Sequence, residues 1–169
     1  QSDGGLVNAD RFSGSRSIYS GPAGGVVGYA LAGKNRYPKK PLIGFDMGGT
    51  STDVSRFDGE FEWMDESEIS AVHLQTPHLK IKTIAAGGGS RLYFKNGLFV
   101  VGPDSAGANP GPVCYGKDGY AALTDANLIL GRLLPDYFPN IFGLNADQPL
   151  NKKAANVAIK KIKETVNEH

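Results

Sequence analysis

LIGFDMGGTSTDVS, residues 42–55, is the stretch whose reading decides the fold. Leu42, Ile43 and Phe45 follow Pro41 as an apolar run, the pattern of a short buried strand, and Asp46 ends it. Gly48 and Gly49 come next, then three consecutive hydroxyls, Thr50, Ser51 and Thr52, then Asp53. Thr52–Phe57 reads as a second strand running back. Asp58–Gly59 is a hairpin signal, with Glu60–Trp63 as a third strand. The turn between the first two strands therefore holds glycines and hydroxyls, with a carboxylate at each end.

Phosphate chemistry calls for these residue types. Glycines let backbone N–H groups approach a phosphate without interference from Cβ, and consecutive N–H groups form an anion-binding nest. Hydroxyls add neutral donors. Bare carboxylates repel a triphosphate, so Asp46 and Asp53 make sense with a hard cation between them and the phosphates. Mg²⁺ keeps several waters and takes one or two carboxylates plus substrate oxygens. A glycine-rich hairpin with solvated aspartates has the same composition, so residue types alone leave both readings open.

Outward from this turn, Gln1–Ser20 is polar and glycine-rich, a loop with one short strand at Ser17–Tyr19. Ser20–Gly21–Pro22 signals a helix start, with proline at an early helical position. Ala23, Val26, Val27, Ala30 and Leu31 recur at helical spacing and Gly33 suits the C-terminal cap. Gly24, Gly25 and Gly28 are poor helix formers; they fit either close packing on a sheet or a helix start that turns its N–H groups toward an anion. The basic run Lys34–Lys40 reads as a solvated loop, and the acidic Met64–Ala71 as a surface excursion. His73 and His78 lack carboxylate or cysteine neighbours at metal spacing and read as solvated or hydrogen-bonded.

Leu79–Ile84 alternates as a half-buried strand and runs into Ala85–Ser90. There Gly87, Gly88 and Gly89 form a second candidate ligand loop; a tight turn into Arg91–Phe94 is the alternative. Leu98–Val101 is a short strand. Gly102–Gly119 is a long glycine- and proline-rich loop, a length that tends to be functional. Its Cys114 reads as a small buried hydrophobe rather than a nucleophile. Thr124 or Asp125 caps a short helix, Ala126–Leu130, with Gly131 near its end. Asn151 caps a last helix through Val166, whose buried stripe is Ala155, Ile159, Ile162 and Val166.

The 169 residues suffice for one domain with a core, and 23 of them are glycine. A net charge of +1 offers no basic footprint for nucleic acid or an anionic membrane. No apolar run reaches the roughly 18 residues of a membrane span, and no signal-peptide pattern opens the chain. The single cysteine, Cys114, forms no internal disulfide and fits a reducing, cytoplasmic setting. Beginning at Gln1 without methionine, the chain is expected to be a fragment.

The motif D-x-G-G-T-x-T-D-V-S between two strands resembles the second phosphate loop of the actin/Hsp70/sugar-kinase ATPases. Thr50 stands where Hsp70-like loops tend to have a third glycine, and the G-G-T form is more similar to the hydantoinase/oxoprolinase family. DRFSGSRSIYSGPAGGVVGY (Asp10–Tyr29), GFDMGGTSTDVSRFDGEFE (Gly44–Glu62), IAAGGGSRLYFKNGLFVVGPDSAGANPGPVCYG (Ile84–Gly116) and TDANLILGRLLPDYFPNIFG (Thr124–Gly143) extend that resemblance over nearly the whole chain. Their wording is most similar to the family's oxoprolinase members.

The resemblance implies an α/β, actin/Hsp70-like (ribonuclease H-like) ATPase lobe: a mixed sheet with a β-hairpin phosphate loop and flanking helices. Within this part of one hydantoinase A domain, residues 1–40 form a leading loop and helix. Residues 41–101 form the phosphate-loop sheet, and 102–169 the long loop and C-terminal helices. It further implies ATP on Asp46, Gly48, Gly49, Thr50, Ser51, Thr52 and Asp53; Gly87, Gly88 and Gly89, read from the residues as the second candidate loop, are expected to join them in binding the nucleotide. Mg²⁺ would be held by Asp46 and Asp53 through water. The implied reaction is ATP-driven opening of 5-oxo-L-proline to L-glutamate through a phosphorylated amide. The implied partners are further domains of the same polypeptide and, in the intact enzyme, a homo-oligomer. A related hydantoinase or acetone carboxylase lobe, or a non-catalytic actin-like scaffold, remains the alternative. No residue emerges as general base.

Overall fold

The computed structural model describes residues 1–69 and 71–167. They fall into two compact units: residues 1–46 with 52–84, and Met47–Ser51 with the chain from Ala85 on. The glycine turn at the centre of the sequence thus belongs to the second unit, although both its flanks belong to the first.

The first unit opens with 3₁₀ turns at Ala9–Arg11 and Gly14–Arg16, followed by helix α1, Ser20–Arg36. Strands β1 (Leu42–Met47), β2 (Thr52–Phe57) and β5 (Lys82–Ile84) form one sheet in the order β1-β2-β5. Strands β3 (Trp63–Ile69) and β4 (Val72–Leu79) pair antiparallel as a separate hairpin. The strand expected at Ser17–Tyr19 is instead a turn into α1. Its chain is already committed, because Tyr19 N–H donates to Ser2 Oγ at 3.0 Å and Ser2 N–H to Arg16 O at 2.7 Å. The acidic stretch expected as a surface excursion is mostly strand β3; Ser70 lies outside the described residues. The third strand expected at Glu60–Trp63 is reduced to a Phe57–Phe61 bridge around Gly59, which has φ +85°. β2 pairs with β5 instead. The alternating segment Leu79–Ile84 is divided between two strands, since Lys80 N–H turns to Glu62 O at 2.9 Å.

Helix α1 lies against β1 through three matched pairs. Asp46, Gly44 and Leu42 alternate along one face of the strand, as a period of two requires. A Cβ on Gly25 would lie 3.5 Å from Asp46 Oδ2, one on Gly44 would collide with the Tyr29 ring, and one on Gly33 with Leu42. Positions 25, 29 and 33 are one helical face, rising about 6 Å per four residues. Two strand residues cover about 6.6 Å, so helix and strand stay in step, with a glycine in every pair. The expectation of close helix packing therefore holds for Gly25 and Gly33. Gly24 and Gly28 face open space.

Ala23, Val26 and Leu79 form the buried core here, flanked by Val27, Tyr29, Phe61 and Ile81. The opposite face of β1 is not covered: Ile43 is 77% and Phe45 69% exposed. The expectation of a buried strand is wrong on that face, because β1 stands at the end of a three-strand sheet with α1 on one side only. α1 also runs a turn past Gly33, where the Tyr37 N–H closes on Gly33 O at 2.7 Å, and its Leu31 is exposed.

In the second unit β6 (Ser90–Lys95) and β7 (Leu98–Ser105) pair antiparallel. Strand β7 takes the first residues of the expected long loop, and a 3₁₀ turn at Val113–Tyr115 takes more of it. Helices α2 (Leu123–Ile129) and α3 (Lys152–Asn167) complete the unit. Cys114, Leu128, Leu150 and Ala155 are its buried core, with Tyr115, Ile129, Leu133 and Phe142 packed against them. Asn151 caps α3 as expected, accepting from Ala154 N–H at 2.9 Å. Ile159, Ile162 and Val166 are half-buried. Helix α2 starts earlier than expected, with Ala122 at its N-cap.

Two alanine substitutions separate these roles. Gly28→Ala should stabilise the protein by up to about 1 kcal/mol, since it removes a poor helix former without a clash. Gly44→Ala should destabilise it by about 1–3 kcal/mol, because the Tyr29 ring must move. Thermal unfolding midpoints shifting in the opposite sense would show that the helix–strand pairing is misassigned.

Candidate functional site

The turn at residues 48–51 is closed by Gly48 N–H donating to Ser51 O at 2.8 Å. A second backbone segment then fixes it from one side. Gly88 N–H donates to Gly48 O at 2.9 Å and Gly89 N–H to Gly49 O at 2.6 Å. In a trans peptide the C=O and the following N–H point in opposite directions. Holding the carbonyls of Gly48 and Gly49 therefore turns the N–H groups of Gly49 and Thr50 away from the bracing segment. Among the described residues, those two N–H groups and that of Ser51 have no hydrogen-bond partner. The outcome is that the consecutive donors of Gly49 and Thr50 are free on one side of the turn, the arrangement of an anion-binding nest.

Gly87–Gly89 make this possible. A Cβ at Gly87 would lie 2.7 Å from Gly49 C and O and from Ser51 N. At Gly89 it would lie 2.9 Å from Ser105 Oγ and 3.0 Å from Gly49 O. Their own donors are engaged: Gly87 N–H goes to Ser90 Oγ at 2.9 Å, and the other two go to the turn. The close approach these glycines permit is thus to another backbone. Gly49, Thr50 and Gly89 also line a cavity of about 200 Å³ with Gly107, Ala108, Pro112, Tyr115 and Thr124.

The carboxylates are found in the first unit. Asp46 and Asp53 line one cavity of about 160 Å³ with Pro22, Gly25, Tyr29, Gly44 and Ser55 among its walls. Asp53 Oδ1 accepts from Thr83 Oγ1 at 2.7 Å, directly across the β2–β5 pairing. Ser55 Oγ lies 3.0 Å from the Tyr29 hydroxyl. Thr52 is 3% exposed within β2, opposite Ile84, so it belongs to the sheet rather than to the open turn. Among the described residues no three His, Cys, Asp or Glu side chains gather as a metal set. His78 is buried, stacked on Tyr19 at 5.1 Å, with Nδ1 2.9 Å from Thr76 O. Among the described residues no helix is long and apolar enough to cross a membrane.

Sequence reasoning missed the walls of the second-unit cavity and what fixes them. Asp125, fully buried, accepts from Cys114 N–H at 2.7 Å, Ala122 N–H at 2.9 Å and Val113 N–H at 3.2 Å. It thereby ties the loop that contributes Pro112 and Tyr115 to the start of α2. Thr124 donates both its N–H and its hydroxyl to Gly88 O, each at 2.8 Å. The only signal in the sequence was the Thr-Asp pair before an apolar run, which reads as a helix cap. Cys114, also fully buried, has its thiol pKa pushed up by burial first and by the Asp125 carboxylate second. It is a core group, as expected, held away from the reactive thiolate form.

The hydantoinase/oxoprolinase family profile matches residues 1–169. The chain belongs to that family. It is 56% identical to the 5-oxoprolinase of Dictyostelium discoideum, over 99% of this chain and 14% of that protein. To 5-oxoprolinase 1 of Arabidopsis thaliana it is 58% identical, over 99% of this chain and 13% of that protein. Among solved structures, the ATP-dependent caprolactamase of Pseudomonas jessenii superposes with a TM-score of 0.73 at 36% identity. It covers 99% of this chain and 24% of its own. Nucleotide-free acetone carboxylase gives 0.74 at 29% identity, covering 98% of this chain and 23% of its own. The family's α/β fold with small antiparallel sheets is thus present here, in a chain spanning about an eighth of the length of its curated relatives.

Asp125→Ala would strand the backbone N–H groups of Cys114 and Ala122, while Val113 N–H keeps Tyr120 O at 3.1 Å, and should cost about 2 kcal/mol or more in denaturant titration. A second expectation follows from the raised Cys114 pKa. The folded chain keeps the thiol proton where an unfolded thiol, with its ordinary value near 9, releases it. The folded state then binds more protons, so stability should fall as pH rises above about 9. Cys114→Ala should remove that part of the slope, and an unchanged slope would refute the assignment.

Proposed function

We propose that this chain is the phosphate-binding part of an ATP-dependent 5-oxoprolinase, which opens 5-oxo-L-proline to L-glutamate. The observation that carries the reading is the pair of free, consecutive N–H groups at Gly49 and Thr50, turned outward by the hydrogen bonds of Gly88 and Gly89. Identities of 53–58% to 5-oxoprolinases of yeast, slime mould and plant favour that substrate over those of acetone carboxylase and caprolactamase. In this reading the fold is an actin-like ATPase lobe, part of one hydantoinase A domain. Further domains of the same polypeptide supply the rest of the ATP and lactam sites, and the intact enzyme is a cytoplasmic homo-oligomer.

The residues fit Mg-ATP by their donor chemistry. Gly49, Thr50 and Ser51 offer N–H groups and hydroxyls to phosphate oxygens. Asp46 and Asp53 face a common cavity large enough for a hydrated cation, and Asp53 keeps its second oxygen beside the Thr83 hydrogen bond. Gly87–Gly89 serve by shaping the turn. Bound Mg²⁺ would neutralise phosphate charge, and ATP supplies the phosphoryl group. Phosphoryl transfer asks of the protein mainly positioning and charge neutralisation.

A lactam is a weak electrophile, and ATP cleavage drives its opening only through a shared intermediate. The lactam oxygen attacks the γ-phosphorus, forming an O–P bond as the bond to ADP breaks. Water then adds to the activated carbon. The ring nitrogen leaves as an amine, giving an acyl phosphate. A second water attacks its carbonyl carbon, so that phosphate departs with the former lactam oxygen and the carboxylate takes both of its oxygens from water.

In the full-length enzyme, Asp46→Asn and Asp53→Asn should each lower ATP hydrolysis by about ten- to a hundredfold with circular dichroism unchanged. Unaltered rates would remove both from the metal role. The path itself is tested with 5-oxoproline carrying heavy oxygen at the ring carbonyl. Label should appear in inorganic phosphate; its full retention in glutamate at normal coupled turnover would rule out amide phosphorylation.

A further inference from the structure

We infer that Thr124 is a positioning residue that sets the direction of the Thr50 N–H through a relay of backbone peptides. The inference rests on the phosphate reading above and adds to it a residue 36 positions beyond Gly88 in the sequence. Thr124 donates its N–H and its hydroxyl to Gly88 O, each at 2.8 Å. With Gly88 O so held, the Gly89 N–H of the same peptide faces the other way, onto Gly49 O at 2.6 Å. With Gly49 O held in turn, the Thr50 N–H faces outward. Each step uses a rigid peptide plane, so a rotation at Gly88 is passed on rather than absorbed.

Glycines are the residues most able to flip a peptide, since both signs of φ are open to them. A segment of three glycines bracing a turn of two needs an external lock, and a doubly hydrogen-bonded carbonyl provides one. Gly88 is the peptide so locked. On its other side, Gly87 O accepts from Ser90 N–H at 3.0 Å, which aims the Gly88 N–H at Gly48 O. Hydrogen bonds in series also polarise one another, so Thr124 strengthens the donor at Thr50 as well as aiming it. The lock itself is anchored, because Asp125, next in the chain, is fully buried and holds three N–H groups.

Thr124→Val keeps the shape and the backbone N–H but deletes the hydroxyl; Thr124→Ser restores it. The test uses the full-length protein and two measurements. Without nucleotide, amide hydrogen exchange of the peptide covering residues 86–90 should quicken about five- to tenfold in Thr124→Val and return in Thr124→Ser. With ligand, affinity for ATP should fall about tenfold in Thr124→Val while affinity for adenosine, which has no phosphate, is unchanged. A role confined to supporting helix α2 would leave the ratio of the two affinities unmoved, and that result overturns the inference. Unchanged exchange overturns it as well. An unaltered protein that binds ATP no better than adenosine refutes the phosphate reading instead, and the exchange measurement then decides the relay alone.

Discussion

Two backbone hydrogen bonds, Gly88 N–H to Gly48 O and Gly89 N–H to Gly49 O, decide what the central turn presents. Without them a Gly-Gly turn has many peptide orientations of similar energy, some with carbonyls facing outward that would repel an anion. With them the carbonyls are occupied and the donors are free. The same contact explains why glycine is needed in the bracing segment. A Cβ at Gly87 would meet Gly49 and Ser51 backbone atoms at 2.7 Å, where no flexible side-chain end is available to move.

The first unit solves a similar problem by different means. There a helix approaches a strand closely enough that each of three facing pairs must include a glycine: Gly25 with Asp46, Tyr29 with Gly44, Gly33 with Leu42. The first of these pairs, nearest the N-terminal end of the helix, leaves an acidic side chain beside a glycine. Asp46 consequently shares a cavity with Asp53 instead of being shielded by a neighbouring side chain. Packing and the availability of a carboxylate thus come from the same missing Cβ.

Charge is buried in the second unit for a structural purpose. Asp125 is an unusual residue to find fully buried, and its three N–H donors explain why it is tolerated. It joins the Val113–Tyr115 turn to the start of α2, and Thr124 beside it reaches Gly88. The loop that is richest in glycine and proline is therefore ordered from the helix as well as by its own backbone hydrogen bonds, among them Gly111 N–H to Ala106 O at 3.2 Å. Cys114 lies inside that arrangement, and its raised thiol pKa is a by-product of burial and the Asp125 charge.

Strands β1 and β2, the helix from Ser20, the Asn151 cap and the family itself were legible in the sequence, because each rests on local chemistry. An apolar run between turn residues, a proline early in a helix, an Asn before an amphipathic stripe and the ten-residue motif D-x-G-G-T-x-T-D-V-S need no distant partner to be recognised. The extent of β3 and the break at Lys80 were not legible, because they depend on which segment supplies a hydrogen-bond partner. The exposure of Ile43 and Phe45 likewise depends on what covers the sheet, which composition does not encode. The order of residues alone sets two glycines and three hydroxyls between Asp46 and Asp53. Only the tertiary structure decided which way the amides of Gly49 and Thr50 point. That direction is set by carbonyl partners some forty residues away, and a residue's identity carries no information about the orientation of its peptide plane.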